Sequence, residues 1–172
     1  GDNINAEGCR YLAEALRVND SLRLLMIGQN GIGDDGCRNL CEGLLVNTSL
    51  TYLGLGSNNI QNQGLMHVCQ VLRSNSALID IDLSVNGFTN VCYEKLSEVL
   101  RDNCSLTVMR LQSNQIMQDG LAHLCEALQV NSTLTLFDLH GNNFEPEAYA
   151  HLSKALCANS SMMGSGTMRP LP

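Results

Sequence analysis

One residue pattern returns every 28 positions, and that period constrains the chain more than any other feature. Leu22, Leu50, Leu78, Leu106 and Leu134 keep the step, and Met162 continues it. So do Leu25, Leu53, Ile81, Met109 and Phe137, and Ile27, Leu55, Leu83, Leu111 and Leu139. Asn30, Asn58, Asn86, Asn114 and Asn142 form a polar column at the same spacing. A second apolar set runs through Leu40, Val68, Leu96, Leu124 and Leu152, then Leu44, Leu72, Leu100, Leu128 and Leu156. No insertion or deletion interrupts the series. A fixed period of this size means an array of like units, each too small to bury its own apolar face.

The unit reads Leu-x-x-Leu-x-Leu-x-x-Asn-x-Ile, as in Leu50, Leu53, Leu55, Asn58 and Ile60. Its Leu-x-Leu centre has period 2, which predicts a short strand with one buried face. The second half, such as residues 64–72, places apolar side chains three and four apart. That spacing predicts a helix with one buried stripe. Each unit is therefore strand, turn, helix, turn. Neighbouring strands stack about 4.8 Å apart and neighbouring helices about 8–10 Å apart. Two layers with different spacings cannot run straight, so the array must curve, strands inside and helices outside. The Asn column falls where the chain leaves each strand. A buried amide there can both donate to and accept from the backbone groups that the turn takes off the ladder.

These residues resemble the leucine-rich-repeat superfamily over residues 2–162. A 28-residue unit with a full helix is similar to its ribonuclease-inhibitor-like subclass. The wording of Asn131, Ser132, Thr133, Leu134, Leu136, Phe137, Asp138, Leu139, His140, Gly141 and Asn142 resembles the repeats of NOD-like receptors. The resemblance implies a parallel-stranded α/β horseshoe that binds or restrains other macromolecules. Ribonuclease inhibitor itself alternates two repeat types with Cys often in the Asn position. All five positions here are Asn and the period is uniform.

The period gives each strand position an address. One row points from the concave face at Leu24, Tyr52, Asp80, Val108 and Leu136, and a second at Met26, Gly54, Asp82, Arg110 and Asp138. A turn row follows at Gly28, Gly56, Ser84, Gln112 and His140. Leu24, Met26 and Tyr52 make an apolar patch, and Asp80, Asp82, Arg110, Asp138 and His140 a polar one. Unpaired apolar side chains on a strand surface point to a partner, and Tyr with Arg is common hot-spot chemistry. The plainer alternative is a solvated face on which Asp82, Arg110 and Asp138 pair across the strands, for about 0–1 kcal/mol each.

The eight cysteines are expected as thiols rather than a disulfide framework. Cys9 and Cys37 share one helix phase, and Cys41, Cys69 and Cys125 another, so stacked equivalents sit at the helix spacing of about 8–10 Å. A disulfide needs Cα atoms within about 7 Å. They read as small core side chains in a reducing compartment. Cys92, Cys104 and Cys157 lie off those phases and are the candidates for exposed thiols. His67, His123 and His151 share a phase away from the Leu stripe, with no third ligand in view for a metal. Glu14, Glu42, Gln70, Glu98 and Glu126 make a mostly acidic stripe, expected to be solvated or to take a basic partner. Sequons at Asn19, Asn47, Asn103, Asn131 and Asn159 occupy one phase at the helix ends. There Asn tolerates a left-handed backbone and Ser or Thr suits the turn. The repeat creates the sequons incidentally.

Other function classes lack support in the sequence. A formal net charge of −7 with no basic block is unsuited to nucleic acid. No apolar run nears the length of a bilayer span, and no signal peptide opens the chain. Gly28, Gly31 and Gly33 lack the Lys-Ser/Thr of a phosphate loop, and no nucleophile elbow stands out. No cofactor is expected. Residues 1–162 are expected to form one repeat domain and residues 163–172 a linker or tail. The start without Met, and ends without a polar cap, read as an interior slice of a longer protein with flanking domains. The function class expected is cytoplasmic, non-catalytic protein interaction. The favoured form is a ligand-sensing or autoinhibitory segment of a NOD-like-receptor type. Its alternatives are a ribonuclease-inhibitor-like enzyme inhibitor and a scaffold of a cytoskeletal or ciliary assembly.

Overall fold

The structure, a computed structural model, describes residues 2–142, 144–159 and 161. Five strands, β1 (Leu24–Met26), β2 (Tyr52–Gly54), β3 (Asp80–Asp82), β4 (Val108–Arg110) and β5 (Leu136–Asp138), form one sheet in sequence order. Every neighbouring pair is parallel, and each residue faces its equivalent one repeat on: Leu25 meets Leu53, Leu53 meets Ile81, Ile81 meets Met109, and Met109 meets Phe137. Helices α1 (Asn5–Val18), α2 (Gly33–Leu44), α3 (Asn62–Ser74), α4 (Tyr93–Asp102), α5 (Gln118–Val130) and α6 (Ala148–Ala158) alternate with them. This is the expected α/β leucine-rich-repeat solenoid. The position of Met162 and the tail expected at 163–172 lie outside the described residues.

The core fills the space between sheet and helices. Leu53, Ile81 and Met109 from the strands meet Leu40, Val68, Leu96 and Leu124 from the helices, all 0–1% exposed. Ile60, Phe88 and Ile116, two residues beyond the Asn column, close the turn side. Both apolar stripes of the repeat therefore converge on one continuous core.

No helix is capped by the side chain of its own N-cap residue. At three helix starts a donor is met by a side chain of the preceding repeat instead. Asp34 Oδ1 accepts the N–H of Gln61 at 2.7 Å and of Gly64 at 2.9 Å at the start of α3. Asn62 Oδ1 accepts from Thr89, and Asn90 Oδ1 from Met117, at 2.9 and 3.0 Å. Each cap thus ties one repeat to the next while satisfying an orphan donor.

The fourth repeat breaks the pattern for a local reason. Gly36, Gly64 and Gly120 occupy the first helical turn of their repeats, where a Cβ would come within 2.6 Å of Ile32, 2.7 Å of Asp34 and 2.8 Å of Tyr93. At the same phase the fourth repeat has Cys92. Its side chain cannot fit the tight turn, so Asn90–Cys92 forms a 3₁₀ turn and α4 starts at Tyr93. Cys92 is 1% exposed as a result. The exposed thiol expected there is corrected: a side chain in the glycine row points at the core. Cys104 and Cys157 are exposed, as expected.

Candidate protein-interaction face

Two ladders of asparagine hold the sheet. In the expected one, the Asn58 amide donates to the Ile27 and Leu55 carbonyls at 2.9 and 3.0 Å, and its Oδ1 accepts the Asn30 N–H at 2.8 Å. Asn86 bonds to Leu55 and Leu83 in the same way and accepts from Asn58 and Ile60. Asn114 and Asn142 continue the column, and Asn30 accepts from Asp2 and Ile4. Each of these five side chains thus bonds to backbone groups at its turn.

The second ladder is one that the sequence reading missed. Asn47, Asn75, Asn103, Asn131 and Asn159 are 2–9% exposed at the opposite, helix-to-strand corner. Asn75 Nδ2 donates to the carbonyls of Leu44 and Asn47, both at 2.8 Å, while its Oδ1 accepts from Ala77 and Leu78. Asn47, Asn131 and Asn159 repeat these donations one unit along. The left-handed backbone expected of these residues is absent: Asn75 sits at φ −83°, ψ 119°, and Asn131 at φ −67°, ψ 126°. Sequons at Asn47, Asn103, Asn131 and Asn159 are therefore buried structural positions, while Asn19 is exposed. The signal was available, since Asn75 keeps the phase without completing a sequon.

On that framework the sheet turns two rows of side chains away from the helices. Leu24 and Met26 on β1 are 52% and 68% exposed. Tyr52 is half-buried because its ring lies over Gly54, where an added Cβ would meet the Tyr52 ring at 3.2 Å. Gly54 is thereby buried, although the period alone puts it on the open face. Burial, then the Asp82 carboxylate, push the Tyr52 phenol above its ordinary pKa, against the pull of Arg110.

The polar patch is organised differently from the expected cross-strand pairing. Arg110 Nη1 bonds diagonally to Asp80 Oδ1 instead of to Asp82 or Asp138 beside it in its own row. Burial opposes the guanidinium charge, but the Asp80 bond and the Asp80 and Asp82 carboxylates outweigh it and raise the Arg110 pKa. Asp82 Oδ1 accepts from Ser84 N–H at 2.9 Å, and Asp138 Oδ1 from His140 N–H at 3.0 Å. Asp82 and Asp138 form no ion pair among the described residues, and His140 is exposed. All eight candidate contacts, Leu24, Met26, Tyr52, Asp80, Asp82, Arg110, Asp138 and His140, lie on or beside this one face.

The remaining expectations resolve on the helix side. The acidic stripe is largely paired within the chain: Arg17 to Glu42 at 3.5 Å, Arg73 to Glu98 at 4.0 Å, and Arg101 to Glu126 at 2.8 Å, with Arg10 on Glu14. Arg17, Arg73 and Arg101 share a 28-residue phase that would have revealed this. His67 and His123 are half-buried and His151 exposed, with His67 Nδ1 3.4 Å from Gln70 Oε1. No three His, Cys, Asp or Glu side chains among the described residues converge as a metal set would. No helix among them is long and apolar enough to cross a membrane.

A Leucine Rich repeat family profile matches residues 18–41 and 46–69. Among solved structures the chain is similar to leiomodin-1 actin-binding site 2, at 14% identity over 89% of this chain and 88% of that one, with a TM-score of 0.72. It is also similar to a tropomodulin C-terminal domain of Caenorhabditis elegans, at 19% identity over 90% and 92% of the two chains, with a TM-score of 0.69. No curated protein matches it. At such identities the likeness is one of fold. Neither neighbour is a NOD-like receptor, so that finer resemblance gains nothing from them.

Proposed function

We propose that the chain is a non-catalytic protein-interaction module that receives another protein on the open face of its sheet. The observation that carries this is the juxtaposition on one rigid surface of exposed Leu24 and Met26 with the Asp82 and Asp138 carboxylates. The asparagine ladders fix that surface before binding, so little ordering entropy opposes association. The decisive experiment is a pull-down from cell extract. The wild-type chain is compared with a Tyr52→Ala/Asp82→Lys/Arg110→Glu variant of equal folded content, and retained proteins are identified by mass spectrometry. Loss of partners from the variant supports the face. Identical partner sets send recognition to the helices or the ends.

The finer form of the reading, a ligand-sensing or autoinhibitory segment of a larger cytoplasmic NOD-like-receptor-type protein, rests on repeat wording alone. The likeness to leiomodin-1 actin-binding site 2 favours a second reading, a scaffold in a cytoskeletal assembly. Co-sedimentation with filamentous actin tests it, and a chain that stays in the supernatant at tens of micromolar actin argues against it. The ribonuclease-inhibitor-like alternative draws least support, because the convex carboxylates it would offer a basic enzyme are largely taken by arginines.

A further inference from the structure

The two rows of the open face differ in chemistry along their whole length. Row one, Leu24, Tyr52, Asp80, Val108 and Leu136, is apolar apart from Asp80, and Asp80 is neutralised by Arg110. Row two carries Met26, then Asp82 and Asp138 without a cation. Arg110 belongs to row two by position, yet it reaches back to row one for its partner. That diagonal bond commits the single cationic side chain of the two rows to Asp80, so that Asp82 and Asp138 on either side of it feel its charge without an ion-pair contact among the described residues. The face is left as an apolar stripe beside an acidic one, two residues or about 6.6 Å apart along the strand.

The dimensions favour a segment that crosses the strands. Each strand spans three residues, or about 10 Å, whereas five strands at about 4.8 Å spacing extend about 19 Å. From β1, Asp82 lies about 10 Å across and Asp138 about 19 Å across. We infer that the occupant of this face is an amphipathic, cationic segment of another protein, laying apolar side chains on row one and Met26 and arginines or lysines over Asp82 and Asp138. This rests on the open-face reading proposed above and adds the chemistry of the partner. A helical segment would space its two basic positions about seven residues apart, two turns on and on one face, and a polyproline-II segment about three apart, one turn on and again on one face. The chain's net charge of −7 attracts such a segment at long range.

The test selects a display library of random 16-residue peptides against the folded chain and measures the winners by fluorescence anisotropy. Three proteins of matched circular dichroism are compared: wild type, Asp82→Asn/Asp138→Asn and Leu24→Ser/Met26→Ser. Asn keeps an acceptor for the Ser84 and His140 N–H groups, so the first variant removes charge and spares the turns. The expected result is enrichment of Arg or Lys with apolar residues, at least 10-fold weaker binding to each variant, and a salt dependence that flattens in Asp82→Asn/Asp138→Asn. Winners that bind the aspartate variant undiminished but lose Leu24→Ser/Met26→Ser overturn the cationic partner and leave the open face standing. Winners indifferent to both variants, or a selection that enriches nothing, overturn the two together. Self-association of the wild type that the same substitutions abolish would replace the foreign segment with a second copy and also overturn the inference.

Discussion

The hydroxyl of Tyr93 is buried with no hydrogen-bond partner among the described residues, at a phase where Leu65 and Leu121 stand in neighbouring repeats. Burial pushes its phenol far above the ordinary pKa, so the group remains a neutral, unsatisfied donor. An orphan of this kind costs about 1–3 kcal/mol. Tyr93→Phe removes it and keeps the ring, and is expected to raise stability by about 1 kcal/mol in urea unfolding at an unchanged m-value. A loss of stability would mean that the hydroxyl has a partner after all. Val85 carries a different strain. It sits at φ 52°, in the row of Gln29, Ser57, Ser113 and Gly141, all at φ 53–70°. A β-branched side chain is the poorest fit to that region. Val85 is also half exposed, so little packing repays the strain. Val85→Asn should therefore gain about 0.5–1 kcal/mol, read as a rise in urea midpoint. No gain would mean that the turn relaxes around valine.

At the scale of elements, the asparagine corners tie each repeat to the next on both sides of the three-residue strands. Strand hydrogen bonds alone would leave the turn carbonyls on both sides of the sheet unpaired. The Asn75 side chain satisfies two such carbonyls and two turn N–H groups, whereas that of Asn19 at the first corner, among the described residues, accepts only from the N–H groups of Ser21 and Leu22 and is exposed. Asn75→Ala is expected to cost about 3 kcal/mol or more, and Asn19→Ala less than about 1 kcal/mol, because only the first leaves several buried groups without water. Equal costs in parallel urea titrations would deny the ladder its role. The strands, the helices and one ladder were legible from period alone, since Leu53, Asn58 and Leu72 recur with their backbone. The other ladder was missed because the Asn at each helix end was explained by the local turn alone, and its reach to carbonyls of the preceding repeat is not visible in the spacing. The face was harder to read. Period gives Arg110 its row but says nothing of its rotamer, and the choice of Asp80 over Asp82 and Asp138 is a matter of side-chain reach to the diagonal position on the neighbouring strand.

At the scale of the molecule, one core runs through the described repeats and encloses six of the eight thiols. Burial raises Cys9 and Cys125 to about 11 and Cys69 and Cys92 to about 12. The hydrogen bond with Cys37, together with burial, lifts Cys41 well above its ordinary value. An unfolded thiol titrates near 8.5. Below that pH both states hold the proton and the thiols add no pH dependence. Above it the unfolded chain loses protons that the folded chain keeps, so the unfolded state binds fewer and stability falls as pH rises. Tyr52 and Tyr93, raised by burial, add a term of the same sign at higher pH. The urea midpoint is therefore expected to hold steady from pH 7 to 8.5 and to decline steadily from there towards pH 11. Cys104→Ser/Cys157→Ser should leave that decline intact, because both side chains are exposed. Cys69→Ala, compared with its own midpoint at pH 7, should make it shallower. A thiol-reactive chromogen at pH 8 supplies the independent check: Cys104 and Cys157 react at once, and the rest only as urea unfolds the chain. Rapid reaction of more than two thiols in the folded protein, or a midpoint indifferent to pH 8.5–11, would mean that the repeats open singly and that the core is not the shared unit its continuity implies.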